Sequence, residues 1–446
     1  MFKKIEIWIL YLFILLGILF AIGTGVLVRQ ELVGGKLGVI SKGVVFLAEI
    51  PRNLNKYLGF DLRTDEQRFF GIKGFQGNPL EEEAYLLLSK YDGDIGRSVV
   101  ELIDLRSFEV KKTWRPDIKR INRLVDSSRP EFENIQTKRN ARRYRMFHPL
   151  LTEDGGLVFQ HLSPLVKIDK DSQLVWQNQE DIFHHSIEQD HEGNLWVPTA
   201  VYPYQVDKKY VGLEFGNFYD DAITKVSADG EILFQKSVGN ILIENNLKCF
   251  VIPCTVTKFL IDPIHLNDIQ PVLTDGPHWK RGDVFLSMLT TSTIVLYRPS
   301  TNKVIWKGGQ GHISGQHDVD ILDDHRISIF NNNRRNFFDG DKLDGHNEVV
   351  IYDFKTDSYS KYLDESLEKN DVRTIWEGLS EILDNGDLFI EEQNFGRLLF
   401  INKDTSLQWQ YVNRADDGKV YLVSWSRVLY KPEDIKKVRK VIETEN

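Results

Sequence analysis

Cysteine is scarce: the 446 residues contain two, Cys249 and Cys254. Two thiols are too few ligands for a structural zinc site. They leave open a local staple across Phe-Val-Ile-Pro, which an oxidising compartment would form, or two buried thiols. Excess positive charge is also missing, with 56 Lys and Arg against 65 Asp and Glu and a net charge of -9. Neutralising phosphates needs a basic face, so this balance argues against a nucleic-acid partner. Neither terminus carries a long acidic or basic tract. Aromatic residues, by contrast, make up 11%. They suit pleated, half-buried surfaces, and the composition leans towards strands.

Charge is absent altogether from Ile7 to Val28. As a helix rising ~1.5 Å per residue, this run spans a hydrocarbon core of ~30 Å. Lys3 and Lys4 precede it, and a basic flank favours keeping that end in the cytoplasm. The expectation is a single-pass inner-membrane anchor over residues 1–30, with the remainder periplasmic or otherwise extracytoplasmic. The alternative is a cleaved signal peptide, whose apolar core is usually ~7–15 residues and ends at a small-residue site; Ala21-Ile22-Gly23 is a weak one. Residues 31–75 read as a juxtamembrane segment, because Lys36, Lys42 and Glu49 interrupt the apolar stretch from Leu32 to Ile50.

Beyond residue 76 one pattern recurs: short strand, acidic-Gly turn, β-rich strand, polar turn, closing strand. LLTEDGGLVFQHLSPLVKIDKDSQLVW at 150–176 and EILDNGDLFIEEQNFGRLLFINKDTSLQW at 381–409 show it in full. Asp154-Gly155, Asp229-Gly230 and Asn385-Gly386 are dipeptides of tight antiparallel turns. Units begin near residues 147, 184, 265, 316 and 376, and a weaker one covers 82–114. Four-stranded units in series predict an all-β, six-bladed β-propeller over 76–432, with Tyr421 to Tyr430 closing the ring on the first blade. Two stacked β-domains or a sandwich are the runner-up. Residues 433–446 read as a charged C-terminal tail. The basic cluster Lys138, Arg139, Arg142, Arg143 and Arg145 falls in an insertion at 115–146, either solvated or facing an anionic ligand or lipid.

Histidines fall at one phase of the repeat. His148, His185 (beside His184), His265 and His317 sit at blade starts, and only the last unit breaks the series, with Glu377-Gly378. In a propeller these positions converge at one channel mouth. A repeated histidine can simply tie strands together. A converging set can instead form a site, either for a metal or for nucleophilic and acid–base chemistry.

HHSIEQDHEGNLWV, HLNDIQPV, GDVFLSMLTTSTIVLYRPSTNKVIWKGG and GQHDVDILDDHRISIFNNN, in that order, resemble the arylsulfotransferase family over roughly residues 80–430. The resemblance implies a six-bladed periplasmic propeller that moves a sulfuryl group from an aryl sulfate to a phenolic acceptor without a nucleotide sulfate donor, and no cofactor or bound metal is expected. It implies that His317 is the histidine transiently sulfated. His265 and Asn267 would hold the sulfate oxygens, with His265 protonating the leaving phenol, and His184 or His185 would supply a further channel histidine; His148, by its place in the repeat, is expected at the substrate site with them. One departure matters: the family pattern has an arginine where this chain has Leu289. Arg298 and Lys303 are near in sequence but are expected on outer strands. Loss of that charge keeps a second expectation open, a weak or inactive propeller acting as a membrane-anchored binding or assembly module, with a membrane protein as partner.

Overall fold

In a computed structural model of the chain, residues 6–34, 68–129, 132, 135–211, 218–252, 261–337 and 340–443 are described. Two compact units separate at Asp61/Leu62. In the first, Ile7–Gly34 is one helix, and its Ile7–Leu27 portion, with mean hydropathy 2.5, is long and apolar enough to cross a membrane. The expected juxtamembrane segment lies largely outside the described residues.

The second unit is a six-bladed propeller. Blade 1 takes its innermost strand, Arg427–Leu429, from the C-terminal region and adds Tyr85–Asp92, Arg97–Asp104 and Glu109–Trp114. Blade 2 runs Phe147–Leu151, Leu157–Gln160, Leu165–Ile168, Leu174–Asn178. Blade 3 runs Glu188–Gln189, Leu195–Ala200, Asp221–Val226, Ile232–Ser237, and blade 4 Leu266–Pro271, Val284–Met288, Thr293–Arg298, Lys303–Gly308. Blade 5 runs His317–Ile321, Arg326–Asn331, Glu348–Asp353, Ser358–Tyr362, with an inserted hairpin of Arg334–Phe337 and Gly340–Leu343. Blade 6 runs Leu379–Ile382, Leu388–Glu392, Arg397–Ile401, Leu407–Val412, and gains Gly74–Gly77 as a fifth, outermost strand. The expected glycine turns are present, with Gly155, Gly230 and Gly386 at φ 77°, 91° and 88°.

Strand alternation explains why the repeat reads as nearly continuous apolar runs. Successive side chains point to opposite faces, and in a propeller both faces of a blade are covered. Tyr85 and Leu87 pack towards blade 2 with Leu157 and Phe159, whereas Leu86 and Leu88 pack towards blade 6 with Phe389 and Trp409. Phe285 joins the layer with blade 5 while Val284 and Leu286 join the layer with blade 3. Leu399 and Ile401 face blade 5, and Leu398 and Phe400 face blade 1. The core is therefore a set of layers between neighbouring blades.

The expected closing strand is Arg427–Leu429, paired antiparallel with Tyr85–Leu87. The expected charged tail is, over Pro432–Glu443, an amphipathic helix. Val438 and Val441 on one face enter the layer between blades 1 and 2, while Arg439 and Lys440 on the other pair with Glu83 and Glu153. A composition that is charged overall hid a three-to-four-residue apolar spacing.

Deleting residues 427–446 should leave the inner edge of blade 1 unpaired and strip the helix from its layer. Thermal melts of the soluble region should show loss of the cooperative transition, whereas deletion of 444–446 should leave it in place. An unchanged midpoint for the longer deletion would show that the closure does not hold the ring.

Candidate functional site

Each inner strand begins in a bend, and the bends put side chains into the channel. His148, His185 and His265 have φ of 42°, 58° and 51°, Asp318 51°, Glu377 58° and Trp425 60°. Non-glycine residues adopt this region at a cost, so six such residues at one level of six blades mark backbone held by its surroundings.

Three of the expected histidines meet. The rings of His185 and His265 lie 5.3 Å apart and those of His185 and His317 6.2 Å apart. Trp425, fully buried, lies 6.2 Å from His185 and 6.3 Å from His317. Its indole N–H has no hydrogen-bond partner among the described residues. His148 contacts Trp425 at 5.1 Å and lines the channel beyond it with Glu188. Its Nδ1 accepts the Ile187 N–H at 3.1 Å. Ser186, Asp268 and Asp318 do the same for the N–H groups of Ile269, Val319 and Ser380. His148 thus occupies the place of a cross-blade tie.

His317 is set as a neutral ring with a defined tautomer. Asn332 donates both amide hydrogens, to Thr374 O at 3.0 Å and Glu377 O at 2.8 Å. Its Oδ1 is left to accept, and it faces His317 Nδ1 at 2.8 Å. Nδ1 therefore carries the proton and Nε2 the lone pair. Burial pushes the imidazole down to about 3.

His265 is set oppositely. Burial opposes its charge, but Asp262, bonded to Nδ1 at 2.6 Å, and the negative charge of Asp221 raise its pKa. Asp262 also accepts the His265 backbone N–H at 3.0 Å. His184 forms a layer behind: its Nδ1 meets His185 Nδ1 at 2.7 Å and its Nε2 lies 3.2 Å from the buried Asp221. Burial, then the charges of neighbouring imidazoles, keeps His185 well below the ordinary histidine range. Asn267 is fully buried and donates to Gln316 O at 2.7 Å, linking blades 4 and 5 directly before His317. Leu289 is buried beside His265, its N–H bonded to His265 O at 3.1 Å. Arg298 and Lys303 lie at the far ends of outer strands, Arg298 bound to Asp283.

A family model described as "Arylsulfotransferase (ASST)" matches residues 148–414. The chain belongs to the arylsulfotransferase family. No curated protein matches the sequence. Among solved structures, a protein of unknown function from Bacteroides caccae is similar at 12% identity and TM-score 0.47, over 78% of this chain and all of its own. A streptogramin B lyase is similar at 11% and 0.38, over 79% of this chain and 96% of its own. TolB from Acinetobacter baumannii is similar at 11% and 0.43, over 81% of this chain and 69% of its own.

Within this arylsulfotransferase-family propeller, several site residues escaped sequence reasoning. Asp262 could have been found from its i,i+3 spacing to His265, and Asn332 from the Asn run after the second strand of blade 5. Asp221 and Trp425 gave no local signal, whereas Arg145, from the expected basic cluster, pairs with Glu377 at 3.4 Å. Of the expected basic cluster, Arg139 is buried and donates to Ser163 O at 2.6 Å, and the Lys138 side chain lies outside the described residues. Cys249 is disulfide-bonded, and Cys254 lies outside the described residues. Among the described residues, three metal-ligand atoms converge within 4.8 Å at Asp323, Asp324 and His325, on a partly exposed turn away from the histidine cluster.

Beyond Trp425 the channel turns acidic, lined by Glu188, Asp318, Asp320 and Glu381, with Arg427 and Lys431 among them. Burial, then repulsion from Glu188, pushes Asp268 up to about 8, and burial, then Glu381 and Glu188, does the same for Asp320. A carboxyl raised in the folded state contributes stability in full below its unfolded pKa of ~4, and loses it as pH rises through the folded value. Buried neutral histidines act in the opposite direction, but only below about pH 6.5. Urea unfolding should therefore show stability falling between about pH 6.5 and 8 and levelling off above that. Asp320→Asn should flatten that fall, and an Asp320→Asn variant with an unaltered slope would rule out this origin.

Proposed function

We propose that the chain transfers a sulfuryl group from an aryl sulfate to a phenol through a sulfated His317. The observation that supports this best is the opposite setting of two imidazoles on either side of His185: His317 held neutral with Nδ1 protonated, His265 held towards its cation. Groups whose surroundings drive their protonation states apart make a nucleophile and acid pair.

In the first half-reaction the Nε2 lone pair of His317 attacks sulfur. The S–O bond to the aryl group breaks, its electron pair goes to the phenolate oxygen, and His265 delivers its proton there. The ring gains positive charge at Nδ1–H, which Asn332 Oδ1 faces. In the second half, His265 takes the proton of the acceptor phenol, whose oxygen attacks sulfur. The N–S bond breaks and its electrons return to Nε2. Sulfuryl transfer resembles phosphoryl transfer in its loose transition state, so positioned charges and donors carry most of the catalysis.

Incubation with an aryl sulfate should label His317 with an acid-labile sulfuryl group, detectable by peptide mass spectrometry, and His317→Ala should abolish it. His265→Gln should slow transfer from phenyl sulfate by about 10²–10⁴-fold and from a nitrophenyl sulfate far less, because a good leaving group needs no proton. With phenyl sulfate the rate should fall as pH rises through the elevated His265 pKa. Absence of label on the wild type would leave the propeller as a binding module.

The apolar helix and the Lys3/Lys4 flank support a retained inner-membrane anchor with the propeller outside the cytoplasm. Protease added to spheroplasts should digest the propeller and leave a membrane-embedded N-terminal fragment. Full protection, or a mature N-terminus near residue 24, would reverse this topology.

A further inference from the structure

A sulfuryl group brings negative oxygens into a site whose histidines are neutral or only conditionally charged. The position that faces His265 across the inner hairpin of blade 4 is Leu289, which offers no charge. The hairpin inserted into blade 5 begins with an arginine, Arg334, that packs against the segment leading into His317. Leu289 O accepts the Ser292 N–H at 3.0 Å, closing a tight turn, and Ser292 Oγ accepts the Gly315 N–H at 3.3 Å. Gly315 is two residues before His317. An ideal Cβ on Gly315 would lie 3.1 Å from both Cβ and Nε of Arg334, so the Arg334 side chain runs directly across this glycine. Glycine, at φ 63°, is what allows that approach.

The backbone of Arg334 is clamped to the same segment: its N–H donates to Ser314 O at 3.0 Å, and Ser314 Oγ donates to its carbonyl. Its guanidinium lies 3.9 Å over the ring of Trp376, the residue before Glu377. Glu377 O in turn accepts from Asn332, the partner of His317. Arg334 thus runs from Gly315, which is bonded to the Leu289–Ser292 turn, to Trp376, next to the Glu377 carbonyl that Asn332 binds. Its charge is felt at both His265 and His317, where it opposes protonation. Arg145, on the other flank, is matched by Glu377.

We propose that Arg334 provides the permanent positive charge for the sulfuryl oxygens, standing in from blade 5 for the arginine missing at position 289. This rests on the sulfuryl-transfer function proposed above. The device is a relocation of one charge by a hairpin: the guanidinium is planar and always charged, and stacking on Trp376 fixes its plane. Removing a preorganised contact of this kind costs about 10²–10³-fold in turnover.

The test uses the full-length, detergent-solubilised protein with phenyl sulfate and a phenol acceptor. Arg334→Gln should lower kcat/KM by about 10²–10³-fold, Arg334→Lys by less, and Arg335→Gln, one residue along and exposed, not at all. Arg334→Gln should also move the alkaline limb of the pH profile upward, since the charge opposing His265 protonation is gone; a purely structural role would not do this. Leu289→Arg placed in the Arg334→Gln background should recover most of the lost rate. Wild-type transfer that Arg334→Gln leaves unchanged overturns this inference alone. A loss that Leu289→Arg does not recover and that leaves the pH limb in place overturns it as well, in favour of a folding role. No transfer by the wild type overturns both this inference and the function beneath it.

Discussion

The site depends on how each inner strand is locked to the next. A side chain at the bend of one blade accepts a backbone N–H of its neighbour: His148 from Ile187, Ser186 from Ile269, Asp268 from Val319, Asp318 from Ser380. Glu391 makes the corresponding link into the closing segment, taking the N–H groups of Trp425 and Ser426 at 2.6 and 2.7 Å. Buried backbone donors without partners are costly, so these links hold the blades at a set rotation about the axis. With that rotation held, residues distant in sequence arrive at one level. His185, His265, His317 and Trp425 come from blades 3, 4, 5 and 1.

Burial alone would make every imidazole in such a cluster neutral. What separates His265 from His317 is the identity of one partner at Nδ1. A carboxylate, Asp262, outweighs desolvation for His265. An amide oxygen, Asn332, does not do so for His317, but it does choose the tautomer. The cluster thereby holds one imidazole kept neutral and one drawn towards its cation, on either side of His185. The acidic half of the channel lies on the far side of Trp425 and His148. That indole separates the raised carboxyls from the imidazole cluster.

Relocation of a charge is a modest change when the scaffold is a ring. Neighbouring blades present equivalent loops to one point, so a group lost from blade 4 can be supplied from blade 5. Gly315 and the inserted hairpin carry the geometry that makes this feasible, and neither belongs to the repeat.

The number of blades, the closing strand and the phase of the histidines were legible in the sequence, because turn dipeptides and period-two alternation are local and recur. The C-terminal helix was not, since its charge count masked the spacing of Val438 and Val441. His148 sits seven residues before its turn Gly155, where His185 sits eight before Gly193. In the fold it takes the role that Asp318, the residue after His317, takes in blade 5, accepting a backbone N–H of the next blade. Asp221 reaches His184 and Asn332 reaches His317 across strands of one blade, and Trp425 reaches His185 and His317 from another blade. Sequence determined the ring and the chemical types around its axis. Tertiary structure decided which imidazole is held neutral and which is drawn towards its cation, because protonation depends on burial and on contacts between chain segments that no single strand encodes.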